Sequence, residues 1–157
     1  MREAFAAMAR HRLVADVLAL PEELDDVARA ARDEPELRIV LNHGGRPRVM
    51  CGGIAHWERR VRRVAASTNV FCKCSGLVER AGIEWTVQSV RPYVEVLLDA
   101  FGADRLMFAS NWPVLNLASH YVPWLDCVME CLQTLGLSVD ETDAVMGGTA
   151  RRCYALR

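Results

Sequence analysis

Four stretches of this chain end an apolar run on groups able to do chemistry. They are L-V-A-D with Asp16, R-I-V-L-N-H with Asn42 and His43, V-F-C-K-C-S-G with Lys73 and Ser75, and L-M-F-A-S-N-W-P with Ser110, Asn111 and Trp112. An imidazole such as His43 exchanges a proton near neutral pH or binds through a neutral ring nitrogen. Asp16 and Lys73 offer charges that a substrate could meet, and Trp112 offers an aromatic surface. A carboxylate at position 111 would read as a general base. The amide of Asn111 has no usable basicity near pH 7, although it can orient a substrate or a water by hydrogen bonding. The competing account is that each group satisfies a nearby loop backbone, and it weighs most for Asp16 and Ser75.

Metal ligation is a poor fit to this set. The sequence has no H-x-H or H-E-x-x-H pair, and one histidine among amides supplies too few anionic or imidazole ligands for a divalent ion. The expectation is therefore no metal-ligating residue. His11, His56 and His120 fall near helix ends and read as capping or surface groups. No C-x-x-C occurs among the six cysteines, and the pairs Cys72/Cys74 and Cys127/Cys131 fall in different elements, so reduced core thiols are expected. The glycine pairs at 44–45, 52–53 and 147–148 form no phosphate-binding fingerprint.

The elements that would position these groups alternate along the chain. A helix over 2–11 precedes a strand at 13–18, and Pro21 opens a helix whose first turn is rich in acids. Strands follow at 38–43, 69–76 and from Leu106 to Ser110, separated by helices over about 54–66 and 85–101. Helices near 119–135 and 139–147 close the chain. Trp57, Val61 and Val64 mark a buried stripe, which puts the arginines of E-R-R-V-R-R on a solvated face. Strands separated by helices imply a parallel α/β sheet, apolar on both faces where helices cover it. Two architectures fit: an open doubly wound sheet, or part of a (β/α)8 barrel, which complete takes typically ~250 residues. In both, sites form at the carboxyl ends of the strands, where the four polar clusters stand.

Composition narrows the classes. The 157 residues are 52% hydrophobic and 25% charged, with a net charge of -1, which suits one globular domain and argues against nucleic-acid binding. No apolar run reaches the ~18 residues of a membrane span, and the first residues lack a secretory core. A cytoplasmic protein without membrane partners is expected.

The segments L-N-H-G-G-R-P, V-F-C-K-C-S-G-L, D-R-L-M-F-A-S-N-W-P-V and G-G-T-A-R-R-C-Y-A-L resemble those of the amidohydrolase-related TIM-barrel proteins. The nearest likeness is to the sugar-lactonase and dicarboxylate-lactonase branch, whose patterns read approximately L-D-H-x-G-x-P, V-x-x-K-x-S-G, R-x-M-F-G-S-D-W-P and G-x-T-A-x-x-x-Y. The resemblance covers essentially all of residues 1–157 and implies the carboxyl-terminal half of a (β/α)8 barrel, about four parallel strands with helices, truncated at the amino terminus. It implies hydrolysis of a cyclic ester or amide, with His43 and the group at 111 catalytic and Asp16, Lys73 and Trp112 at the substrate. A divalent metal is a feature the resemblance allows in full-length relatives.

The departures are Asn42 and Asn111, where that pattern has aspartates, and the lack of the amino-terminal H-x-H strand. Two functional readings stay open: a lactone-opening hydrolase, and a non-catalytic remnant or binding module that keeps the pocket rim. A half-barrel also leaves sheet edges unpaired, which invites self-association or a partner chain that completes it.

Overall fold

The computed structural model describes residues 2–156. Helix α1 (Arg2–Arg10) leads into strand β1 (Val14–Val17), and helix α2 (Leu24–Asp33) into β2 (Arg38–Leu41). Helix α3 (Ile54–Ala65) precedes β3 (Val70–Cys74); a one-turn helix α4 (Val78–Ala81) and the long α5 (Val87–Phe101) precede β4 (Leu106–Phe108). Helices α6 (Tyr121–Thr134), α7 (Val139–Asp143) and α8 (Thr149–Tyr154) follow, the last two joined by a wide turn over 144–148. The sheet is parallel in the order β1-β2-β3-β4, with Asp16 beside Val40, Val40 beside Phe71 and Lys73 beside Met107. No helix among the described residues is long and apolar enough to cross a membrane.

Side chains alternate across a strand, so each face of the sheet collects every second residue. Ala15, Ile39, Leu41, Val70, Cys72, Cys74 and Leu106 point to one face and join Val27, Val61, Val94, Leu97 and Val128 of the covering helices in a continuous core. Val40 and Met107 point to the other face, where Cys153 is buried against them and Val14, Phe71, Ala150 and Tyr154 pack around. That second face is therefore partly covered by α8 rather than by a full layer of helices. The Arg38 guanidinium donates to the Cys153 carbonyl at 2.6 Å, and the Tyr154 hydroxyl donates to the Asp16 carboxylate, 3.0 Å from each oxygen.

Two polar staples fix the amino-terminal end of the sheet. Asn69 donates to the carbonyls of Ala31, Glu34 and Leu37, and Arg105 donates to those of Ala65, Ser67 and Val70. Buried carbonyls must find donors, and one side chain here serves three of them at once. All six cysteines are free, five of them buried. Trp57, Val61 and Val64 are buried as their spacing requires. On the opposite face of α3, Arg59, Arg62 and Arg63 are exposed as expected; there Arg60 and Arg63 pair with Asp25 of α2, and Arg62 pairs with Asp99 of α5.

Candidate functional site

The chain leaves β2 through Asn42–Gly45 in a tight turn that reverses hand: His43 has φ 55° and Gly44 has φ 57°. The chain leaves β4 through Asn111 at φ 58°. Left-handed backbone is uncommon outside glycine, and side chains held there are over-determined by their surroundings. Both candidate catalytic residues are in that state.

The surroundings can be named. A Cβ on Gly44 would sit 2.9 Å from Leu97 Cδ1, and one on Gly76 would sit 2.8 Å from His43 Cβ. Glycine at 76 is thus what lets β3 end flush against the imidazole. The Trp57 indole donates to the Gly44 carbonyl at 2.8 Å, and the Trp124 indole donates to the Ala109 carbonyl at 3.0 Å. Each strand exit is therefore held by an indole from the helix that follows it.

His43 and Asn111 line one cleft of about 310 Å³, together with Leu18, Arg46, Gly76, Glu79, Arg80 and Val114. His43 Nδ1 lies 2.8 Å from the hydroxyl of Ser75, which is fully buried. That contact orients the ring and leaves Nε2 for a ligand. Burial lowers the His43 pKa, and the charges of Lys73 and then Arg46 lower it further, so the ring is neutral at pH 7. A neutral imidazole with its proton on Nε2 donates to a carbonyl; with its proton on Nδ1 it accepts from water.

Asn111 Nδ2 donates to Glu79 Oε1 at 2.6 Å. The other oxygen, Glu79 Oε2, is buried and accepts no hydrogen bond. Arg80 donates to the Pro47 carbonyl at 2.6 Å, and its pKa is lowered by burial, then by Arg46 and Arg48. The cleft wall is thus cationic around one carboxylate.

The other candidates stand elsewhere. Lys73 Nζ donates to Asp16 Oδ1 at 2.6 Å and lies 5.5 Å from the centre of the Tyr154 ring, on the face of the sheet that α8 covers. Neither Asp16 nor Lys73 lines the cleft, and Lys73 acts on it through its charge on His43. Trp112 is 69% exposed and does not line the cleft either; its backbone N–H donates to Ser110 Oγ. Sequence reasoning missed Glu79, Arg46 and Arg80. The available signal was an acid shortly after the S-G that ends β3, in a chain whose expected strand-end acids are amides.

The amidohydrolase family pattern Amidohydro_2 matches residues 1–156. An L-fucono-1,5-lactonase of Burkholderia ambifaria is 37% identical over 159 residues, which take in 99% of this chain and 54% of that protein. A crystal structure of an amidohydrolase from Burkholderia multivorans with bound zinc superposes at a TM-score of 0.93 and 35% identity, over 99% of this chain and 57% of that one. A putative 2-pyrone-4,6-dicarboxylic acid hydrolase from Pseudomonas putida shares the fold at a TM-score of 0.70 and 22% identity, over 96% of this chain and 54% of that one. This chain spans about half the length of the curated relatives it matches.

The described side chains offer little to a metal ion such as that zinc. Among the described residues no three His, Cys, Asp or Glu groups stand together to hold a metal ion. The cleft's own donors, His43 and Glu79, stand among two arginines, which a divalent cation would oppose. The four parallel strands match half of a TIM-barrel hydrolase, and the chain belongs to the amidohydrolase family.

Proposed function

We propose that this chain carries the carboxyl-terminal part of a lactone-opening active site, with a small cyclic ester as substrate. The observation that supports the reading most is the convergence of His43 and Asn111, from the ends of separate strands, on one cleft. His43, held neutral and oriented by Ser75, donates from Nε2 to the ester carbonyl and stabilises the charge that develops on its oxygen. Water attacks the carbonyl carbon, the ring C–O bond breaks, and a hydroxy acid leaves. Arg46 stands in the same wall, placed to favour the carboxylate product. In this reading Lys73 contributes from outside the cleft through its charge, Asp16 holds Lys73 in place, and Trp112 offers an exposed aromatic surface next to Asn111.

The second reading, a binding module without turnover, draws on one observation: the group that ends β4 in the cleft is the amide of Asn111, which has no usable basicity near pH 7. β1 and β4 each have one strand neighbour, and a second copy or a complementary chain that completes a barrel belongs to the same proposal.

Hydrolysis of a panel of sugar and aromatic lactones by wild type and His43→Ala separates the two readings. Wild-type turnover that drops about 10²-fold or more in His43→Ala supports the hydrolase. A folded wild type that binds lactones and opens none supports the module.

A further inference from the structure

A strand that ends on an amide where its family pattern has an acid poses a chemical problem. Attacking water must lose a proton, and Asn111 cannot take it. The cleft nevertheless contains a carboxylate, on the one-turn helix α4 rather than at a strand end. Glu79 Oε1 accepts the Asn111 amide at 2.6 Å, while Oε2 is buried and unpaired. An unpaired carboxylate oxygen shut away from water is costly and is satisfied when a ligand donates to it. No arginine of the wall satisfies it: Arg80 is turned to the Pro47 carbonyl, and neither Arg46 nor Arg80 donates to Oε2.

We propose that Glu79 is the base of this cleft and that Asn111 is the residue that positions it. The proposal rests on the lactone-opening reading above. As the water oxygen bonds to the ester carbon, one water proton passes to Glu79. As the ring C–O bond breaks, that proton passes from Glu79 to the departing ring oxygen, so Glu79 ends the cycle as a carboxylate. Asn111 donates through Nδ2 to Oε1 throughout, which holds the carboxylate in the cleft wall. The acid has moved from the end of β4 to the start of α4, and the amide at the strand end now orients it.

The pair makes a reciprocal prediction that neither residue makes alone. Glu79→Gln, which is nearly isosteric, loses about 10²–10⁴-fold in kcat with little change in KM. Asn111→Asp also lowers the rate, because it sets a second carboxylate at hydrogen-bond distance from the first. The exchange Glu79→Gln with Asn111→Asp restores one acid and one amide, and recovers at least tenfold over Glu79→Gln alone. A purely structural hydrogen bond would not show that recovery in kcat. Lactone turnover of the four forms and of His43→Ala, in the full chain, reads the outcome. Turnover lost in His43→Ala and kept in Glu79→Gln overturns this assignment and leaves the lactone-opening reading standing. A rate raised by Asn111→Asp, or an exchange no better than Glu79→Gln, also overturns it. No turnover in any form overturns both.

Discussion

The exits of β2 and β4 solve the same problem with different degrees of enclosure. Each delivers one functional side chain in left-handed backbone, His43 at φ 55° and Asn111 at φ 58°. Each has its carbonyl held by the indole of the following helix. The β2 exit is sealed: Gly44, Gly45 and Gly76 leave no room for a Cβ beside Leu97, Leu24 and His43. The β4 exit is open, with Trp112 69%, Val114 47% and Leu117 75% exposed. The imidazole is thus fixed by packing and by the buried Ser75 hydroxyl, and the amide by its hydrogen bond to Glu79. Precision at the first exit is a property of the core; at the second it is a property of one polar pair.

The sharpest way to break that contrast is to remove the two indole donors. Trp57→Phe leaves the Gly44 carbonyl unpaired in a buried place, whereas the Ala109 carbonyl freed by Trp124→Phe is only partly buried and can take water. Losing a buried partner costs about 1–3 kcal/mol beyond the lost packing. Urea unfolding should therefore show Trp57→Phe destabilised by roughly 2–4 kcal/mol, packing loss included, and Trp124→Phe by about 1 kcal/mol less. Equal losses would mean that the β2 exit is no more enclosed than the β4 exit.

A subtler break uses glycine. Gly76 and Gly102 share φ 66°, but an added Cβ meets His43 at the first and nothing within 4 Å at the second. Alanine at either should cost about 1–3 kcal/mol for a positive-φ backbone that side chains rarely adopt. Only Gly76→Ala should also displace the imidazole, seen as a changed His43 ring resonance and lost lactone turnover beside an unaffected Gly102→Ala. A Gly76→Ala protein with native His43 signals would show that the ring tolerates the contact.

Much of this contrast was legible in the sequence. The four strands, the helices between them and the placement of His43 and Asn111 at strand ends follow from apolar runs that stop on polar groups. Three features lay beyond it, for physical reasons. A one-turn helix such as α4 has no room for a 3.6-residue period, so Val78–Ala81 reads as loop and Glu79 goes unnoticed. The Tyr154 hydroxyl reaches Asp16 across 138 positions, a contact that only the fold creates. The cover over the second sheet face is of the same kind, because α8 returns over Val40 and Met107.

The smallest expected effect concerns protons, and it also separates the exits. His43 carries the ionisable group of the β2 exit; Asn111 carries none. Burial first, then Lys73 and Arg46, hold the folded His43 pKa below its ordinary value. Between that lowered value and about 6.5, the unfolded chain binds a proton that the native chain refuses. Stability from this group is therefore complete above about 6.5 and declines as pH falls through that window. Subtracting the stability of His43→Gln from that of wild type, point by point in pH, isolates the contribution. The difference should slope upward with pH below 6.5 and flatten above it, and the wild-type His43 ring should titrate by NMR below 6.5. Lys73→Met should move that titration upward by only part of the shift, since burial, the larger cause, is untouched. A ring titrating at or above 6.5 in wild type would mean that the β2 exit is open to solvent like its counterpart.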